Sequence, residues 1–228
     1  MTIEELQQQI GITFQDQSLL KQAFVHRSYL NESKEFRESN ERLEFLGDAV
    51  LSFCTSQFLY RTYPKFPEGI LTNIRSTLVK TQSLGDVATT LHLGDMLLLS
   101  RGEESSGGRQ NISLLADSFE ALLGALYLDQ GVEAATTFLT NVLFPKTEAI
   151  IETKSYVDYK SLLQELTQGI NKLSPTYKVI KSEGPDHDKV FWVEVVVGDK
   201  AIGSGHGKSK QEAEQNAAAS GLEKYPKA

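Results

Sequence analysis

Asn40–Leu51 reads NERLEFLGDAVL. At about 100° per residue, Leu43, Leu46, Val50 and the following Phe53 share one face of a helix, and Glu41, Glu44 and Asp48 gather nearly opposite. A second stretch, LLADSFEALLGALYLD (Leu114–Asp129), repeats the design. There Asp117 and Glu120 oppose Phe119, Leu122, Leu123 and Leu126. Spacing alone favours the plain reading, the solvated faces of two amphipathic helices. Two details oppose it. A solvated face mixes signs or sets lysine four residues after glutamate, and neither cluster has a cation on its own face. Gly47 also interrupts a good helix at a cost of about 1 kcal/mol relative to alanine, which predicts that something approaches closely there. If the two helices cross with their acidic faces converging, four carboxylates meet and their repulsion calls for a cation. Hard oxygen ligands suit Mg²⁺ or Mn²⁺. Such sites serve phosphodiester hydrolysis by activating a water and stabilising charge on the attacking and leaving oxygens.

Outward from this stretch, residues 1–148 read as helical throughout, with apolar residues at three- and four-residue spacing and no proline before Pro64. Pro64 and Pro67 bracket a turn that leads into a helix over about Ile70–Thr81. GEESSGGRQN (Gly102–Asn111) reads as a polar, glycine-rich loop, longer than the median connection. Cys54, the single cysteine, excludes an internal disulfide framework and a multi-cysteine zinc site, and beside Phe53 and Phe58 it reads as a small buried residue. His26 in FVHRSY reads as structural, and His92 receives no role.

Past Val157 the rhythm changes. A short helix (about Tyr159–Thr167) precedes Pro175 and two alternating segments, TYKVIKSE and VFWVEVVV. Val197-Gly198-Asp199-Lys200 is a two-residue hairpin signal into a third strand, AIGSG. A helix over about Ser209–Lys224 closes the order α-β-β-β-α, one small α+β domain. GSGHGKSK (Gly203–Lys210) reads either as a glycine-rich loop opening a phosphate-binding helix or as an ordinary strand-to-helix turn with two solvated lysines. Trp192 and Phe191 can be imagined as base-stacking platforms, with core or edge packing expected for at least one.

The 228 residues suit two modest domains. The net charge of −7 argues, taken whole, against a nucleic-acid partner. Residues 1–157 carry 13 basic and 20 acidic residues, whereas residues 158–228 carry 10 of each. The acidity is N-terminal, and the tail is free to set its lysines on one face. No apolar run reaches the roughly 18 residues of a membrane span, and the start MTIEELQQQI lacks a basic segment. A cytoplasmic protein without membrane contact is the expectation.

NERLEFLGDAVL resembles the signature motif of the ribonuclease III family. The likeness continues through GILTNIRSTLVKTQSLGD (Gly69–Asp86), GEESSGGR (Gly102–Arg109) and LLADSFEALLGALYLDQG (Leu114–Gly131), covering about residues 5–145. It implies an all-α endonuclease domain over 1–148, a linker at 149–157 and, over 158–228, a double-stranded RNA-binding domain. It implies that Glu44, Asp48, Asp117 and Glu120 are the catalytic, metal-binding carboxylates, with Mg²⁺ the cofactor and Mn²⁺ possible. Glu41 and Glu68 match supporting positions near the scissile bond, and Phe45 an aromatic that packs into the partner of a homodimer. In the tail, Ser161, Gln164, Glu165, Pro185, His187, Lys189, Lys208 and Lys210 match RNA contacts. Gln211 departs from a common lysine, and Asp186 and Asp188 flank His187, which puts binding strength in doubt. The implied activity is hydrolysis of double-stranded RNA, including rRNA and mRNA precursors, to 5′-phosphate and 3′-hydroxyl ends. The rival is a non-catalytic double-stranded RNA-binding or ribosome-associated protein. Retention of all four carboxylates favours the enzyme.

Overall fold

The computed structural model describes residues 1–185 and 188–224, and Asn171 by its backbone alone. Two compact units divide between Tyr156 and Val157. The first comprises α1 (Ile3–Ile10), α2 (Gln17–Gln22), α3 (Glu41–Thr62), α4 (Glu68–Val79), α5 (Thr81–Thr90), α6 (Arg101–Ser105), α7 (Ile112–Val142) and α8 (Lys146–Glu152). Three short 3-10 turns and an isolated parallel bridge between Val25 and Leu98 complete it.

Helix α7 is the axis of this unit. Asn111 opens it, its side-chain oxygen accepting from Ser113 N and Leu114 N, and Gly131 breaks it with non-helical angles (φ 81°, ψ −172°). Between these points Leu115, Ala116, Phe119, Leu122, Leu123, Ala125 and Leu126 are all buried. A helix apolar nearly all round is a core helix, so Asp117 and Glu120 do not stand on a solvated face. On α3 the buried line is Leu43, Gly47, Val50, Leu51, Cys54 and Leu59. Phe53, expected inside, is 57% exposed, because the face turned to α7 is the one that carries Gly47.

The stretch expected as a loop at Gly102–Asn111 is ordered. Ser100 caps α6 by accepting from Glu103 N, and a 3-10 turn follows at Gly108–Gln110. The Arg109 guanidinium ties it down, donating to the carbonyls of Gly94 and Leu97 at 2.9 Å each and, through Nε, to Glu104 at 2.7 Å. Lys80, extended at φ −65° and ψ 148°, ends α4 two residues before the expected Thr81 and starts α5. Residues 149–157, expected as a linker, include the end of α8, and Ile150 joins the first unit's core with Ile151 and Tyr156 packed against it.

The second unit runs α9 (Tyr159–Asn171), β1 (Thr176–Glu183), β2 (Val190–Val197), β3 (Lys200–Gly207) and α10 (Lys210–Lys224). Asp158 caps α9, which continues past the expected Thr167 to a left-handed Lys172 (φ 58°). The antiparallel sheet has the order β1-β2-β3, and Val197 pairs with Lys200 across the Gly198-Asp199 turn, as the hairpin signal predicts. Leu163, Val193, Val195, Ala213, Ala217 and Ala218 form its core. The third strand expected over AIGSG is present and extends through His206 and Gly207, so no loop separates it from the turn into α10. Its glycines serve close approach: a Cβ at Gly205 would lie 2.2 Å from Ala217 N, and one at Gly203 2.5 Å from Gly221 N.

Helices α3 and α7 share the most extensive helix–helix contact in the first unit. A Cβ on Gly47 would lie 1.8 Å from the Glu120 carbonyl oxygen, and one on Gly124 2.2 Å from that of Leu43. The close approach predicted at Gly47 is therefore the backbone of the second acidic helix. Because backbone cannot rotate aside, Gly47→Ala is expected to destabilise the protein by roughly 2–4 kcal/mol despite alanine's better helix propensity. Gly69→Ala, with nothing within 4 Å of the new Cβ, is expected to be neutral or stabilising. Urea unfolding of both variants checks the contrast, and equal stabilities would remove the crossing constraint.

Candidate functional site

The glycine crossing sets the carboxyl-bearing turns of α3 and α7 beside each other. Glu44, Asp117 and Glu120 are half-buried and Asp48 is exposed. Their electrostatics show a shared environment. Burial, then the charges of Asp48, Glu44 and Asp117, push the Glu120 carboxyl up to about 8. Burial raises Glu44, with Asp117, Glu41 and Asp48 adding to it, and burial raises Asp117. The repulsion anticipated for converging acidic faces is thus present among all four. These are hard oxygen donors with excess negative charge, the donor set that suits Mg²⁺ or Mn²⁺. Among the described residues no three His, Cys, Asp or Glu side chains are arranged to hold an ion as they stand. The fit lies in donor chemistry and charge.

The remaining positions fall around this cluster in different ways. Glu41 accepts from Ser39 Oγ at 2.7 Å, is 3.8 Å from Arg27, and adds to the field on Glu44. Glu68 does not join the cluster. It opens α4, accepts from Thr72 Oγ1 at 3.0 Å and lines a separate groove of about 910 Å³ with Phe53, Tyr60, Tyr63 and Arg75. Phe45 is 80% exposed, and with Phe53 and Tyr60 it makes an apolar stripe along α3. Beside that stripe Leu46, Ala49, Val50, Phe53, Tyr127 and Val132 line a hollow of about 430 Å³. His26 has more than the structural role read from sequence. Its Nδ1 meets Ser28 Oγ at 2.8 Å, and its presence favours the ionised form of Asp117, opposing the effect of burial. Single-sequence spacing could not reveal this, because His26 and Asp117 are far apart in the chain.

In the second unit Ser161, Gln164 and Glu165 stand on the exposed side of α9, with Ser161 also bonded to Asp158. Pro185 is exposed beyond β1 and Lys189 half-buried before β2, while Asp186 and His187 lie outside the described residues. Lys208 reaches Asp188 at 3.3 Å, joining the β1–β2 segment to the start of α10, and Lys210 sits 6.0 Å over the Phe191 ring. Ser209 Oγ and the Glu212 carboxylate take up the amides of Glu212 and Lys208, so the start of α10 is capped by its own side chains. Phe191 packs against the core, whereas Trp192 lies between Lys181 and a stacked His206.

A helical unit with paired acidic helices is of the class suited to metal-assisted phosphodiester hydrolysis, and a unit with the α-β-β-β-α order follows it. Comparison with known proteins gives the family. Residues 16–147 match the ribonuclease-III-like family model, and residues 159–225 match the double-stranded RNA binding motif. The chain is 49% identical over 223 residues to ribonuclease 3 of Enterococcus faecalis, covering 97% of this chain and 96% of that one. It is 47% identical over 224 residues to ribonuclease 3 of Oceanobacillus iheyensis, covering 98% of both. A solved nuclease domain of ribonuclease III from Campylobacter jejuni, described as having structural flexibility in a region involved in dimer formation, aligns with a TM-score of 0.59 and 39% identity over 63% of this chain and 99% of that one. This chain belongs to the ribonuclease III family. No helix among its described residues is long and apolar enough to cross a membrane.

The raised Glu120 value has a measurable consequence. Between the ordinary 4.5 and about 8 the folded state holds a proton that the unfolded state releases, so this group lowers stability as pH rises through that window. In EDTA, Glu120→Gln is expected to be more stable than the parent at pH 9 by roughly 2 kcal/mol, less than the full shift implies because the carboxyl keeps contact with water. The advantage should disappear near pH 4.5. Urea unfolding at both pH values checks this, and a pH-independent difference would show that Glu120 is not held protonated.

Proposed function

We propose that the protein is an endoribonuclease that hydrolyses double-stranded RNA to 5′-phosphate and 3′-hydroxyl ends. The first unit performs the chemistry and the second supplies most of the affinity. The observation that carries this reading is the coupling of Glu44, Asp48, Asp117 and Glu120 across the α3–α7 crossing. In this reading those four carboxyls hold Mg²⁺ or Mn²⁺. Such an ion, when bound, supplies the charge that the cluster lacks and acidifies an attacking water. Burial of Glu44, Asp117 and Glu120 withdraws the donors from bulk solvent into surroundings in which each charge counts for more than it does in water. Glu41 and Glu68 take supporting places along the RNA. A protein that only bound RNA would have no use for four mutually repelling carboxyls, whose tension costs stability until a cation relieves it.

The test is long double-stranded RNA incubated with purified protein in Mg²⁺ or in EDTA, with the products sized. Cleavage is expected only with metal. Glu120→Gln, Asp48→Asn and Glu44→Gln are each expected to lose cleavage by orders of magnitude at millimolar Mg²⁺ while binding RNA nearly as the parent does. A Glu120→Gln variant cutting within threefold of the parent would remove Glu120 from the catalytic set.

The proposal includes a cytoplasmic C2 homodimer in which each subunit brings one carboxylate cluster to a shared valley. The exposed Phe45 and the neighbouring hollow on α3 support it, since an aromatic left 80% exposed beside an apolar cavity suits a self-complementary contact. It also gives Glu68, remote from its own cluster, a place near the partner's. Phe45→Ala is expected to weaken dimerisation by roughly 2–4 kcal/mol, read by sedimentation across a concentration series. A parent protein that is monomeric at micromolar concentration would sink this part of the proposal.

A further inference from the structure

The duplex-binding surface of the second unit contains a carboxylate where a polyanion is to be received. Asp188 Oδ1 lies 3.3 Å from Lys208 Nζ, with the two side chains 63% and 80% exposed. Lys208 lies two residues before α10, in the turn that leads into its capped start, and Asp188 belongs to the β1–β2 segment. The contact therefore ties together two of the three elements that face RNA in this reading. We propose that Asp188 is an internal competitor for Lys208, a phosphate mimic that sets the affinity and salt sensitivity of RNA binding.

The argument turns on what an exposed ion pair can and cannot do. Both groups keep their water, so the pair adds little to folding and shifts an equilibrium by roughly fivefold at most. A phosphate arriving at Lys208 meets that same pair and must open it. Opening leaves the carboxylate beside an anionic backbone, so the cost recurs as repulsion. It also reduces the counterions released on net, because the freed carboxylate gathers cations of its own as the phosphate gives them up. Each lysine–phosphate contact ordinarily steepens the fall of affinity with salt by about one unit, and the pair cancels part of that increment. The neighbouring Glu212 carboxylate is held otherwise, accepting from the backbone amide of Lys208 at 2.8 Å.

This inference rests on the duplex-binding reading, and the experiment separates the two. Binding of the full chain to a duplex of about 20 base pairs, long enough for one such domain, is measured in EDTA over a salt series. The proteins are the parent, Asp188→Asn, Lys208→Ala, the double variant and Asp199→Asn. Asp199 lies in the β2–β3 turn, so its variant removes one negative charge from the same unit away from Lys208. Asp188→Asn is expected to bind about threefold tighter at low salt, with a slope steeper by up to about one unit and convergence with the parent at high salt. In the Lys208→Ala background the same change should alter affinity by less than about 1.5-fold, and Asp199→Asn should behave as the parent. An equal gain from Asp188→Asn in both backgrounds, or no gain in either, overturns the competition. Failure of the parent to bind the duplex at all would instead refute the reading on which it rests.

Discussion

Two backbones touch where α3 crosses α7, and they touch because neither helix has a side chain at the point of contact. Gly47 lies against the carbonyl of Glu120 and Gly124 against that of Leu43, so each glycine receives the other helix's main chain. The reciprocity fixes both the separation and the register of the helices. A slide of one residue would bring a Cβ into a carbonyl. The site inherits that accuracy, since Glu44 and Asp48 flank Gly47 while Asp117 and Glu120 lie on the turn that presses against it. Core side chains such as Leu43, Leu51, Phe119 and Leu122 then bury the flanks of the contact.

The same crossing explains why the carboxyls are under electrostatic tension. Each of Glu44, Asp117 and Glu120 is partly withdrawn from water before any neighbour is considered, and the neighbours are anions. The His26 imidazole favours the ionised form of Asp117 and so opposes this. It reaches the site because its chain is pinned on both sides: His26 N donates to Leu98 O, and Asn40 N donates to Val25 O at the threshold of α3. Packing energy in the hydrophobic core, not local attraction, keeps the acidic faces together.

Much of this was legible in the residues alone. The acidic spacing in NERLEFLGDAVL and LLADSFEALLGALYLD, together with the unexplained Gly47, pointed to convergence on a shared site, and the Gly198-Asp199 hairpin emerged as read. The misreadings have physical causes. Phe53 shares the apolar face of Leu43, Leu46 and Val50 by spacing yet is exposed, because hydrophobicity is not burial and the face with Gly47 takes the interior. Gly102–Asn111 looked like a loop because its order comes from Arg109 reaching carbonyls twelve to fifteen residues back, a long-range bond that no local pattern carries. The strand read over AIGSG runs on through His206 and Gly207, where glycine, depleted in strands, gives little sign of one. Here it is required, since a helix lies on top of it. The pairing of Lys208 with Asp188 and the field of His26 on Asp117 belong to the same class of feature, visible only once distant segments are brought together.

That glycine-paved strand has a mechanical consequence. Side chains between a helix and a sheet act as a compliant layer: they change rotamer, and the helix can ride up or down by fractions of an ångström. Under α10 there is no such layer at Gly203 and Gly205, where main chain rests on main chain, and α9 packs against α10 in turn. The lysines at the start of α10 are therefore mounted on a stiff base whose height above the sheet cannot be adjusted. A double-stranded RNA-binding module recognises groove spacing and backbone shape more than base identity, and such a measurement is only as good as the stiffness of the gauge. In this unit that stiffness comes from the absence of side chains at two strand positions.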